Sequence, residues 1–86
     1  MTKKMTYGQL QELLTSLGFH HAEVKGSHQT YFYEDRPEMI FPIVPKNRQV
    51  MPAHLAVVRF RLADLGIADP DEFADMMHGK NGAQPR

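Results

Sequence analysis

Residues 24–33, VKGSHQTYFY, set a histidine directly after a Gly-Ser pair and ahead of an aromatic run. Imidazole titrates near pH 6.5, so around neutrality His28 can accept a proton and, once protonated, give it back. That capacity suits metal-independent cleavage of RNA. A base takes the proton of a ribose 2′-hydroxyl, and the freed oxygen attacks the adjacent phosphate. Cations such as the neighbouring Lys25 would offset the charge developing on the phosphoryl oxygens. A histidine at the start of a strand also commonly just satisfies a local hydrogen bond, and spacing alone leaves both roles open.

Other chemistries are poorly served. The chain has five histidines and no cysteine, which excludes a disulfide framework, a thiolate nucleophile and a Cys-based zinc site. His20 and His21 are adjacent in a segment that reads as a strand. Successive strand side chains point to opposite faces, so the two cannot chelate one ion together. No H-x-H or H-x-x-x-H pair occurs, and neither a metal nor a cofactor is expected. Ser27 is a poor nucleophile for His28, because a base must reach the hydroxyl at about 3 Å and adjacent strand residues seldom do. Ser27 reads instead as part of the turn. There is no G-x-S-x-G elbow and no Gly-rich phosphate loop.

The elements that must position His28 are legible. Thr6 followed by Gln9 fits a capping box, and Leu10, Leu13, Leu14 and Leu17 follow helical spacing up to a stop at Gly18. Residues 19–25 and 28–33 read as two strands, and 38–44 as a third after the turn EDRP. Short links imply an antiparallel meander, and Pro42 places the third strand at an edge. PKNRQVMP is a loop, with Pro52 in the first turn of a second helix that carries Leu55, Val58, Leu62 and Leu65 and stops at Gly66. Asp69, Pro70 and Glu72 open a third, short helix whose apolar set, Phe73, Met76 and Met77, suits packing on Val57 and Phe60. The expected fold is α+β: two layers in the order α-β-β-β-α, with an extra short C-terminal helix. Residues 6–67 form the domain, 69–78 the acidic helix and 79–86 a flexible tail.

At 86 residues and zero net charge the chain has room for one modest core. The neutral total hides an asymmetry. Between Glu38 and Asp64 the charged residues are Lys46, Arg48, Arg59 and Arg61, whereas from Asp64 to Asp75 all are acidic. A local basic field attracts phosphate even in a neutral molecule, although two solvated helix faces of opposite sign would give the same pattern. The N-terminus has no long apolar segment, and no run approaches the roughly 18 apolar residues of a membrane span. A soluble, cytoplasmic protein is expected.

The segments LLTSLGFHHAEVKGSHQTYFY, PIVPKN and VMPAHLAVVRFRLADLGI, in this order and spacing, resemble the HicA toxins of type II toxin–antitoxin systems. The likeness covers residues 7–67. It implies a fold similar to a double-stranded-RNA-binding domain (dsRBD-like) and a ribosome-independent mRNA interferase activity. It also implies that His28 is the catalytic residue and that the partners are RNA, not DNA, and a HicB-like antitoxin covering the site. Lys25, Ser27, Lys46 and Arg48 are the RNA-binding candidates. Asn47 stands where many relatives carry a second histidine, and the acidic helix lies outside the usual core. The alternative on the same fold is a non-catalytic RNA-binding or protein-interaction module.

Overall fold

The first helix, α1 (Tyr7–Ser16), begins where the capping box places it. The Gln9 backbone N–H donates to Thr6 Oγ1 at 3.2 Å, and the Thr6 N–H donates to Gln9 Oε1 at 2.9 Å. At the other end Gly18 takes φ +104°, a left-handed value glycine adopts without strain. The Phe19 and Gly18 N–H groups then reach back to the carbonyls of Leu14 and Thr15, the paired bonds of a Schellman stop. The structure, a computed structural model, describes residues 5–24 and 28–77.

Three antiparallel strands follow: β1 (His20–Val24), β2 (His28–Tyr33) and β3 (Arg36–Pro42), in the spatial order β1-β2-β3. The third strand starts two residues before the expected 38. Glu34 and Asp35 both have positive φ, 52° and 68°, and form a two-residue hairpin turn that lets Arg36 pair at once with Tyr33. Pairing passes from Tyr31↔Met39 to Phe32↔Pro37, so Glu38 is the extra residue of a bulge. Its carboxylate lies within 4.0 Å of Arg61 on the helix layer. As expected of a strand containing Pro42, β3 lies at an edge of the sheet.

Helix α2 (Pro52–Asp64) has Pro52 in its first turn and buries Val58 and Leu62 completely, with Leu55 and Leu65 half-buried. Its stop, Gly66, is again left-handed, at φ +75°. α1 packs against β1 and α2 against β3, so both helices cover one face of the sheet. Leu10, Leu14, Tyr31, Met39, Phe41, Val58 and Leu62 form the core between the layers. Each such aliphatic or aromatic side chain contributes about 1.5–3 kcal/mol by leaving water.

Helix α3 (Pro70–Met77) is held by a reciprocal cap of Asp69 and Glu72, both bonds at 2.8 Å. It packs on α2 and buries Phe73 in the core, but not over the surface its sequence suggested. Val57 and Phe60 remain 42% and 68% exposed. The groove between α2 and α3 is lined instead by Pro52, Leu55, Ala56, Arg59, Phe73 and Met77. The cause is helical phase: once Val58 and Leu62 face the sheet, the loop at 65–69 brings α3 to the flank bearing Leu55, not the one bearing Phe60. The expected helix limit at His78 and the tail at 79–86 lie outside the described residues. No helix among the described residues is long and apolar enough to cross a membrane.

Candidate functional site

His28 opens the central strand, opposite Val24 on one side and Pro42 on the other. It is exposed, while the next residue, Gln29, is buried with Tyr31, Met39 and Phe41. Strand alternation therefore puts His28 on the sheet face turned away from the helices, in line with Thr30, Phe32, Ile40 and Pro42. Lys25 and Ser27, the two candidates nearest to it in sequence, lie outside the described residues.

Lys46 and Arg48 leave the sheet at the same end, on the loop that follows Pro42. That loop lies against the start of α1. The Tyr7 and Gly8 N–H groups donate to the carbonyls of Arg48 and Lys46, both at 2.9 Å, and the Val50 N–H donates to the Met5 carbonyl. Gly8 eases this approach, since a Cβ there would stand a tight 3.2 Å from the Lys46 carbonyl oxygen. One consequence is electrostatic. With Thr6 Oγ1 on the Gln9 N–H, the first-turn donors of α1 are already occupied, so phosphate here would be held by side chains alone.

The four cations of the acid-free segment are not one patch. Lys46 Nζ donates to Gln11 Oε1 at 2.6 Å, and Arg48 is exposed. Arg59 lines the α2–α3 groove. Arg61 stands between Glu38, at 4.0 Å, and Asp64, at 3.7 Å, and so has acidic neighbours on both sides. Of the basic candidates, Lys46 and Arg48 are thus the described pair at the His28 end.

Two further histidines gain partners that sequence spacing did not reveal. His21 Nε2 lies 2.8 Å from Gln29 Oε1, and the Gln29 amide donates onward to the Pro42 carbonyl at 3.0 Å. The chain of contacts ties β1 to β3 across β2. His54 Nδ1 lies 2.7 Å from the Tyr7 hydroxyl, which also accepts the Met51 N–H at 3.2 Å, and the His54 ring meets Phe41 at 4.7 Å. This contact joins α1, α2 and β3, and its partners are 47 residues apart in the chain. Burial pushes the Tyr31 phenol up to about 12. Among the described residues no group of three His, Cys, Asp or Glu side chains is arranged to hold a metal ion.

The described chain is an α+β domain with an exposed histidine at one end of a three-stranded antiparallel sheet. No protein-family model, curated protein or solved structure matches it.

Proposed function

We propose that the chain is a HicA-like mRNA interferase toxin with a dsRBD-like fold, and that a HicB-like antitoxin restrains it. The observation that carries this reading is the exposure of His28 at the start of the central strand, at the sheet end from which the Lys46–Arg48 loop departs. The order α1-β1-β2-β3-α2 supports it.

His28 acts as general base. It accepts the 2′-hydroxyl proton as that oxygen bonds to phosphorus. The bond from phosphorus to the 5′-oxygen of the next nucleotide breaks, leaving a 2′,3′-cyclic phosphate, and the departing oxygen takes a proton from the imidazolium or from water. Lys46 and Arg48 attract the phosphates, with Lys25 and Ser27 as the remaining candidates for backbone contact. RNA held this way is recognised chiefly by shape and by phosphate and 2′-hydroxyl groups.

Induced expression is expected to arrest growth, and the purified chain to cut RNA in the presence of a chelator. His28→Ala should abolish the arrest and slow cleavage by about 10²-fold or more, with an unchanged far-UV circular dichroism spectrum. A His28→Ala variant as toxic and as active as the parent would remove His28 from the mechanism. Two observations favour a second reading, a module that binds RNA without cutting it: Lys46 is already engaged by Gln11, and position 47 is Asn. RNA that is bound in a salt-dependent way but survives prolonged incubation with the parent chain would select that module.

A further inference from the structure

The two edges of the sheet are built differently. β3 carries Pro37 and Pro42, which cannot donate to a further strand, and is bent by the bulge at Glu38. These are the usual devices that stop a sheet edge from recruiting another strand. β1 has none of them. It contains no proline, pairs with β2 in an unbroken register from His20 to Val24, and has no second neighbour among the described residues. His20, Ala22 and Glu23 are exposed there, and His21 is half-buried.

We propose that this edge pairs with β1 of a second copy of the chain, antiparallel about a two-fold axis through Ala22. Register selects that partner. In a symmetric antiparallel pair, facing residues must share both the sheet face and the edge direction, so only registers centred on a residue are allowed. Centring on His21 sets His21 against itself, and centring on Glu23 sets two carboxylates face to face. Both shorten the pairing to three residues. Centring on Ala22 uses all five residues and sets His21 opposite the second copy's Glu23, twice over, with the small Ala22 at the axis. An imidazole facing a carboxylate can donate a hydrogen bond to it, whereas like charges set face to face weaken a sheet. The complementary register is also the longest one.

The product is a six-stranded antiparallel sheet with the helices of both copies on one face. Both His28 side chains then lie on the other face, about 20 Å apart from strand spacing and rise. A five-residue strand pair is a small contact, so the association belongs with transient complexes. The proposal does not rest on the nuclease reading, since no RNA-binding candidate lies on β1.

The chain has no cysteine, so a single introduced one reports the register directly. Ala22→Cys should form an intermolecular disulfide under mild oxidation, because facing Cα atoms stand about 4.5–5.5 Å apart. His20→Cys and Glu23→Cys should not, each lying more than about 7 Å from its own copy in this register. Sedimentation equilibrium should show a reversible monomer–dimer equilibrium weakened about tenfold by Glu23→Lys. Mixing Glu23→Lys with His21→Glu should restore association, because the heterodimer regains one imidazole–carboxylate pair and gains a lysine–carboxylate pair. Circular dichroism checks that each variant is folded. A parent chain monomeric up to millimolar concentration would overturn the proposal. So would a dimer indifferent to Glu23→Lys, or cross-linking of the three cysteine variants to equal extents.

Discussion

The two faces of the central strand share six residues and a backbone but obey different rules. On the helix side Gln29 and Tyr31 are buried against Phe41 and Met39. On the other side His28 is exposed, and Ile40 beside Thr30 is 60% exposed. Volume and polar satisfaction limit the first face, because a closely packed interior leaves little room to relax. The second face is limited mainly by what binds to it. Substitutions at its exposed positions, unlike the buried Thr30, are expected to change activity while leaving stability nearly untouched, and those on the helix side to do the reverse.

The largest expected effect tests the packed face. Phe41 of β3 is fully buried and meets Tyr31 of β2 and His54 of α2 through its ring. Phe41→Ala should cost about 3–5 kcal/mol, measured by urea unfolding, from lost burial plus the cavity left behind. A loss below 1 kcal/mol would mean that the helix layer does not close over this face as described. Next is Gln29, the buried polar link of the same face. Gln29→Ala removes the donor to the Pro42 carbonyl and the partner of His21, and should cost about 1–3 kcal/mol. The smallest effect belongs to the outer face, where Ile40→Thr keeps the β-branched shape on an exposed site and should shift stability by less than about 0.5 kcal/mol. A cost near that of Phe41→Ala would show that the outer face is covered in solution.

Tyr31 adds a pH test of the contrast. Its phenol is raised to about 12 by burial, above the 10.0 of an unburied one. The raised value means that the folded state resists deprotonation more than the unfolded state does. This contribution is therefore complete below about pH 10 and is lost progressively as the pH rises towards 12. The urea midpoint should fall across that window, and Tyr31→Phe should flatten the fall.

Much of the local structure was legible because its causes are local. The Thr6–Gln9 and Asp69–Glu72 boxes act over three residues, and the stops at Gly18 and Gly66 need only the freedom of a missing Cβ. The start of β3 was harder to read. EDRP carries no glycine or asparagine to mark a left-handed turn, yet Glu34 and Asp35 adopt one because closing the hairpin requires it. At the site, His28 was marked by its place after Gly-Ser, whereas the engagement of Lys46 by Gln11 spans 35 residues and has no sequence signature.

The sequence by itself determined which segments are helices and strands, that the meander is antiparallel and that a histidine opens its central strand. Caps, periodicity and turn length act within a few residues, so they survive without knowledge of the fold. Only the tertiary structure decided which flank of α2 receives α3, how the 43–51 loop occupies the donors at the start of α1, and which cations are engaged by neighbouring side chains. These depend on helical phase and on contacts between residues 35 to 47 apart, as in the Lys46–Gln11 and Tyr7–His54 pairs. The same holds for the two edges of the sheet: proline protects β3, while β1, with His21 and Glu23 straddling Ala22, has no second neighbour among the described residues.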